Sequence, residues 1–104
     1  MGDNMPFVKV AKITEILPGK YKSVEVEGND YLITNIEGNY YAMSNRCTHF
    51  HAALSEGVLN GRIIVCPKHH SSFDVVTGKS QSIHTHDITV YRVEIDGEDI
   101  LIDV

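Results

Sequence analysis

Two short segments of the chain each place a cysteine close to a histidine. Cys47 and His49 form the first pair, and Cys66 and His69 form the second. Sixteen residues separate His49 from Cys66, so the spacing is Cys-x-His, sixteen residues, and then Cys-x-x-His. A thiolate is a soft anionic ligand and an imidazole is a neutral borderline ligand, so this set suits zinc or iron. These residues predict a metal centre held by two loops, each of which contributes one sulfur and one nitrogen.

Two metal chemistries use two Cys and two His. One is a tetrahedral structural zinc site, and the other is a [2Fe–2S] cluster in which two His replace two Cys on one iron. Zinc fingers usually pair Cys with Cys and His with His on one local turn, whereas here each loop holds one of each. This arrangement favours the binuclear cluster. In a reducing compartment, two Cys are also more often metal ligands than disulfide partners.

Four further histidines lie close to these segments or follow them. His51 and His70 each stand at Cys-x-x-x-His spacing, so they are rival ligands to the two histidines above. His84 and His86 are two residues apart, so on a strand both would face the same side and could form a second metal site. Exposed polar residues are the simpler interpretation of all four.

The charge balance and the hydropathy exclude several classes of protein. Nine Lys and Arg against fourteen Asp and Glu give a net charge of −5 without a basic run, so nucleic acid and anionic lipid are poor partners. The longest apolar run has four residues, 63–66, which is too short for a membrane helix. We therefore expect a cytoplasmic protein without a membrane or nucleic-acid partner. The acidic charge predicts docking to a basic partner surface.

The elements that must carry the two loops are predicted to be β-strands. Val, Ile, Thr and Tyr dominate the candidate segments, Gly-bearing turns separate them, and helical periodicity is absent. Residues 45–60 and 66–87 fit poorly as strands and are predicted to be long functional loops. In the last long strand, Thr89, Tyr91, Val93 and Ile95 are predicted to face the core. The fold class is therefore all-β, an antiparallel sandwich or barrel. The predicted strands are residues 7–13, 21–26, 31–34, 40–43, 62–65, 89–95 and 100–104.

The ligand spacing and its flanking residues resemble the Rieske iron–sulfur family. The resemblance covers roughly the whole chain, taken as one domain over residues 1–104, with cluster-binding loops at about 45–60 and 66–78. It is strongest toward the small soluble Rieske-type ferredoxins of ring-hydroxylating dioxygenase systems. Besides the four ligands, the matching residues are Thr48, Phe50, Leu54, Glu56, Gly57, Pro67, Ser71, Phe73, Asp74, Thr77 and Gly78.

The resemblance implies a fold, a cofactor and a function. Cys47 and Cys66 would bind the inner iron of a Rieske [2Fe–2S] cluster, and His49 and His69 the outer iron. The two loops would form a small cluster-binding subdomain on the β scaffold. The protein would be a one-electron carrier rather than an enzyme, taking electrons from a flavin-containing reductase and passing them to an oxygenase or a similar acceptor, with no small-molecule substrate. The alternatives are a Rieske-like small subunit of a larger reductase, such as nitrite reductase, and a structural Cys₂His₂ zinc domain.

Four positions near the ligands bear on how this chain departs from the family pattern. The family usually has Gly where this sequence has His51 and His70, so a different backbone dihedral or a bulkier loop is expected there. Ser71 stands where cytochrome bc-type relatives place a serine hydroxyl toward the cluster, and Phe73 stands where they place a tyrosine hydroxyl. Because hydroxyl donors raise the potential, one donor kept and one lost predicts a potential in the lower part of the Rieske span.

Overall fold

The structure, a computed structural model, describes residues 7–47, 52–68, 70–82 and 85–104. These residues form ten β-strands and two 3-10 turns, Ile13–Glu15 and Leu54–Glu56. In chain order the strands are β1 (Phe7–Lys12), β2 (Tyr21–Val26), β3 (Asn29–Ile36), β4 (Asn39–Ser44), β5 (Val58–Asn60), β6 (Ile63–Val65), β7 (Ser72–Asp74), β8 (Val90–Tyr91), β9 (Val93–Asp96) and β10 (Asp99–Asp103). Within the described ranges, no helix is long and apolar enough to cross a membrane.

The strands form three antiparallel sheets, which confirms the predicted fold class. The first sheet has the order β1-β10-β9, the second β2-β3-β4-β8, and the third β5-β6-β7. The second sheet is the largest, and both faces of its central strand β3 are buried. The third sheet carries the second cysteine directly after β6.

Alternation along β3 and β4 divides the core into two apolar clusters. Leu32 of β3 and Met43 of β4 point to one face, and Ile33 and Ala42 point to the other. All four side chains are buried, so the second sheet has no face left to solvent at its centre. The face with Leu32 packs on Leu54, Ile64, Phe73, Val75, Ile88 and both cysteines. The face with Ile33, which also carries Tyr31, packs on Ala11, Ile16, Ile100 and Ile102.

Two hairpin turns are tighter in the structure than the gaps between the predicted strands at 21–26, 31–34 and 40–43. The turn between β2 and β3 contains only Glu27 and Gly28, with φ of +51° and +87°. The turn between β3 and β4 repeats this geometry at Glu37 and Gly38, with φ of +55° and +94°. Positive φ at both central residues matches the twist of a two-residue hairpin, so the strands extend further toward each turn than their apolar residues indicated.

Two expectations about the elements were wrong. Residues 45–60 and 66–87 are not simply loops, because β5 and β7 lie within them and pair with β6 on either side. The predicted strand at 89–95 is divided, because β8 pairs with β4 in the second sheet and β9 pairs with β10 in the first. The prediction that Thr89, Tyr91, Val93 and Ile95 face the core is wrong in part. Thr89 is exposed and Ile95 is 47% exposed, while Tyr91 and Val93 are half-buried.

The buried hydroxyl of Thr34 gives a stability prediction. Thr34 lies on β3, is 1% exposed, and its Oγ1 has no hydrogen-bond partner among the described residues. An unpaired buried hydroxyl costs free energy that a methyl group does not. We expect Thr34→Val to raise the free energy of unfolding by about 1 kcal/mol in urea titrations. A lower stability for Thr34→Val, together with unchanged stability for Thr34→Ser, would contradict this interpretation.

Candidate metal centre

Asn45 fixes the two ends of the segment that carries the first cysteine. Its side-chain amide donates to Oγ of Ser55 at 3.0 Å, and its Oδ1 accepts the Ser55 N–H at 2.8 Å. Its carbonyl oxygen also accepts the N–H of Leu54 at 2.9 Å. Because Asn45 is 2% exposed, these bonds are shielded from water and hold the chain before Cys47 against the chain after the loop.

The two cysteines begin loops that are closed in the same way. The N–H of Cys47 donates to the carbonyl of Ala52 at 2.8 Å, and the N–H of Cys66 donates to the carbonyl of Ser71 at 2.6 Å. In both loops the acceptor lies five residues after the cysteine. This shared closure places each thiol at the base of its loop, with four residues between donor and acceptor. The equivalence agrees with the prediction of two loops that contribute similar ligands.

The two thiols lie side by side in an apolar environment. Cys47 and Cys66 are both 0% exposed, neither forms a disulfide, and both belong to the cluster that contains Phe73. Burial is the main cause that raises the pKa of the Cys66 thiol, and the neighbouring Cys47 raises it further. The N–H of Lys68, 3.4 Å from the Cys66 sulfur, acts in the opposite direction. Two buried thiols are costly to ionise together unless a cation lies between them.

The structure places only part of the predicted ligand set. Cys47 and Cys66 are brought together, whereas His49 and His69 lie outside the described residues, as do His51 and His84. Among the described residues, no group of three or more His, Cys, Asp or Glu assembles into a metal site. The pair of thiols is therefore the described part of the candidate centre.

His70 shows how the second loop accommodates a residue where the family usually has Gly. Its φ is +59°, in the left-handed region that Gly adopts at low cost, and its side chain is exposed. From the sequence we expect either a different backbone dihedral or a bulkier loop here. The backbone at His70 adopts the left-handed dihedral, with the strain of a non-glycine residue in that region.

The third sheet is attached to the second by a contact that sequence reasoning missed. The hydroxyl of Tyr21 on β2 donates to the carbonyl of Gly57 at 2.5 Å. Gly57 itself packs so closely that a Cβ there would lie 1.9 Å from the carbonyl oxygen of Val65, the residue before Cys66. Glycine is therefore required at this position by close approach of two backbones. Gly57 was recognised as matching the family, but its contact with Val65 depends on long-range packing.

Asp74 organises the turn that leaves the third sheet. Its Oδ1 accepts the N–H of Val76 at 2.8 Å and of Thr77 at 3.3 Å, and its Oδ2 accepts from Arg62 at 2.9 Å. Partial burial on its own raises the pKa of Asp74, but these donors together lower it more, so the pKa lies below its ordinary value of 3.8. The ionised carboxylate is thus the form that fits the folded turn.

The geometry of two equivalent cysteine loops on an antiparallel β scaffold agrees with a family comparison. The family model described as the Rieske [2Fe-2S] domain matches residues 6–98. The chain belongs to this family. The ligand spacing allows either zinc or a [2Fe–2S] cluster, and membership of this family identifies the centre as the cluster.

Relatives of this Rieske domain cover nearly its whole length. The ferredoxin component of the naphthalene 1,2-dioxygenase system of Pseudomonas putida is 38% identical over 94% of this chain and 95% of its own. The ferredoxin of carbazole 1,9a-dioxygenase from Nocardioides aromaticivorans IC177 is 32% identical, with a TM-score of 0.86 over 92% of this chain and 95% of its own. A chain in the complex of reduced oxygenase and oxidized ferredoxin in carbazole 1,9a-dioxygenase is 31% identical, with a TM-score of 0.88 over 96% of this chain and 94% of its own. The Rieske protein described here is accordingly an electron carrier of the ferredoxin type rather than a catalytic subunit.

The donor set of this Rieske domain fits its cofactor. Two adjacent buried sulfurs, one from each loop, are the ligands that a ferric ion stabilises as thiolates, and the positive ion removes the cost of ionising them together. The N–H of Lys68 directed at the Cys66 sulfur stabilises negative charge on it. When bound, the cluster supplies a one-electron couple, and the chain supplies the apolar walls beside the two sulfurs and the backbone bonds that close the ends of each loop.

The close approach at Gly57 predicts a specific loss of stability. In Gly57→Ala the new methyl group must displace the Val65 carbonyl and with it the backbone that leads into Cys66. We expect the free energy of unfolding to fall by about 1–3 kcal/mol, with a lower visible absorbance per protein chain. Gly61→Asn is the control, because Gly61 has open space around it and Asn tolerates its φ of +63°. Equal losses in both variants would contradict the role assigned to Gly57.

The lowered pKa of Asp74 predicts a pH-dependent contribution to stability. A carboxyl group whose pKa is lower in the folded state stabilises the fold above its unfolded pKa and loses that contribution as pH falls through the folded pKa. We expect Asp74→Asn to be less stable than wild type at pH 7, with the difference shrinking as pH drops below about 4. Urea unfolding followed by circular dichroism measures this, and Asp96→Asn controls for the loss of one exposed charge. A stability difference that stayed constant with pH would contradict the prediction.

Proposed function

We propose that this Rieske ferredoxin carries single electrons from a flavin-containing reductase to the oxygenase of a ring-hydroxylating dioxygenase system in the cytoplasm. The observation that carries the proposal is the pair of adjacent buried thiols, each at the base of an equivalent loop. Its relatives are named as ferredoxin components of such systems, and one solved relative is in complex with an oxygenase. The whole chain, residues 1–104, serves as one cluster-binding domain in this proposal.

The proposed cluster ligands are Cys47, His49, Cys66 and His69. The two cysteines hold one iron, and the two histidines, one from each loop, hold the other. The similar closure of the two loops supports one sulfur ligand from each loop, and the spacing Cys-x-His and Cys-x-x-His adds His49 and His69 to the set. The spacing of His51 and His70 keeps them as the rivals that an experiment must exclude.

The protein environment controls how easily the carrier accepts an electron. Reduction adds one negative charge, and apolar walls formed by Leu54, Ile64 and Phe73 disfavour added charge beside the buried thiols. Phe73 is 0% exposed and offers no hydroxyl, whereas Ser71 is 6% exposed and retains one. These residues hold and insulate the redox centre, and none of them has to react.

The ligand set predicts different outcomes for neighbouring histidines. We expect His49→Ala and His69→Ala to lose iron and sulfide, while His51→Ala and His70→Ala, the matched controls in the same loops, retain about two of each per chain. Iron and sulfide analysis and the EPR spectrum of the reduced protein measure this. The same wild-type protein, once reduced, should deliver one electron to an oxygenase component. A stable cluster in His69→Ala together with cluster loss in His70→Ala would move the ligand to His70.

The pattern of hydroxyl groups predicts the redox potential and its response to substitution. We expect a potential in the lower part of the range of roughly −150 to +300 mV found for Rieske centres. Phe73→Tyr should raise it if the new hydroxyl reaches the Cys47 sulfur, and Ser71→Ala should lower it, because a donor to the cluster stabilises the reduced form. Redox titration followed by visible absorbance measures both shifts. A wild-type potential near the top of the range would contradict this reasoning.

A further inference from the structure

We propose that the outer face of the third sheet is a docking surface for an acidic, partly apolar surface of the electron acceptor. The inference rests on the proposed function, and it adds which face of the molecule meets the oxygenase and what chemistry that face recognises. We call this surface the outer face; it consists of Val58, Asn60, Ile63, Val65, Ser72, Asp74, Lys79 and Gln81.

The register of the third sheet defines the two faces. Leu59, Ile64 and Phe73 lie opposite one another across β5, β6 and β7, and they pack into the core beside the cysteines. Side chains alternate along a strand, so the residues on either side of these three point outward. The neighbouring rows are Val58–Val65–Ser72 and Asn60–Ile63–Asp74, and none of these six residues is buried.

The outer face is apolar at its centre and lies beside the redox site. Val58 is 63% exposed, the largest exposed fraction among the large apolar side chains that the structure describes. Its cross-strand partner Val65 is half-buried and directly precedes Cys66. Together with Ile63, these side chains form an apolar strip that ends at the second cysteine. A partner seated on this strip would lie next to the buried thiols.

The charge of this part of the molecule is opposite in sign to the charge of the whole. Residues 45–82 hold four of the nine Lys and Arg and only two of the fourteen Asp and Glu, so this sequence segment carries +2 and the rest carries −7. Two acids from the rest of the chain border the segment, since Asp30 pairs with Arg46 and Asp87 accepts the N–H of Ser80. The local excess of basic charge therefore rests on the exposed Lys68 and Lys79. The one acid on the outer face, Asp74, is paired with Arg62 at 2.9 Å. The segment after β7 folds back antiparallel to it, with Ser80 opposite Phe73. In this register Lys79, which is exposed, lies opposite Asp74.

This distribution reverses the expectation drawn from the net charge of −5. The net charge predicts a basic partner, whereas the charge near the cysteines favours a partner with carboxylates around an apolar patch. The acidic remainder of the chain would be repelled by such a partner, so the partner is guided toward the outer face. In the transfer itself, one electron leaves the reduced ferredoxin, which becomes oxidised, and reduces the oxygenase.

Small inorganic oxidants test the local charge without any protein partner. The reduced ferredoxin is mixed with ferricyanide, an anion, and with hexaammineruthenium(III), a cation, at increasing ionic strength. We expect salt to slow the ferricyanide reaction several-fold and to accelerate the ruthenium reaction, as a positive local charge requires. The reverse pair of salt effects, which a uniform charge of −5 would give, overturns the proposal.

Matched variants test docking with a protein acceptor. The probe is the oxygenase component of the naphthalene 1,2-dioxygenase system of Pseudomonas putida, reduced by the ferredoxin in a stopped-flow experiment. Val58→Asp and Lys79→Glu should each lower the bimolecular rate at least about fivefold, with unchanged potential and EPR spectrum. Ile95→Asp and Lys20→Glu introduce the same changes on other exposed sites and should leave the rate unchanged. Lys79→Gln keeps the test valid if Val58→Asp unfolds the short strand.

Two further results separate failure of this inference from failure of the proposed function. Equal rates for the outer-face variants and their controls, or a faster reaction of Lys79→Glu, would overturn the docking surface while leaving the carrier function intact. A purified protein that cannot be reduced by dithionite and then reoxidised by the inorganic oxidants would instead contradict the carrier function and remove the basis of this inference.

Discussion

The structure depends on keeping two thiols adjacent and dry at the point where two loops meet. Cys47 follows β4 of the second sheet and Cys66 follows β6 of the third, yet both are 0% exposed, and Cys47 lies close enough to contribute to the raised pKa of the Cys66 thiol. Each is fixed by a backbone bond to a carbonyl five residues later, and each lies in the same apolar cluster. Such a pair is unfavourable as free thiolates and favourable as metal ligands, so the fold and the cofactor stabilise each other.

The scaffold satisfies this constraint by burying both faces of its central sheet. One face of β3 and β4 packs on the first sheet, and the other face packs on the small sheet that carries the second cysteine. Asn45 and Tyr21 then hold the loops against the scaffold through partly buried hydrogen bonds. The small sheet has only three residues per strand, so it relies on these contacts and on its apolar inner face rather than on its own ladder. Its remaining outer face is therefore free to serve recognition.

Much of the fold was predictable because period-two alternation and turn residues are local signals. Together with runs of Val, Ile, Thr and Tyr, these signals located β1, β2, β3, β4, β6 and β10, and the Cys and His spacing located both loops. β5 and β7 were not predictable, because strands of three residues carry almost no periodicity and form only by pairing with β6. The change of sheet at Arg92, between β8 and β9, likewise leaves alternation intact and is decided by long-range packing. In the site, the cysteines follow from sequence, whereas Asn45 and the close approach at Gly57 follow only from tertiary contacts.

The most direct test of the account is a Mössbauer spectrum of the purified protein grown on ⁵⁷Fe. If the two adjacent thiols hold one iron and two histidines hold the other, the spectrum will show two iron sites in equal amounts with clearly different isomer shifts. A spectrum with one type of iron site, or a protein that contains no iron when assembled in its native host, would contradict the central claim.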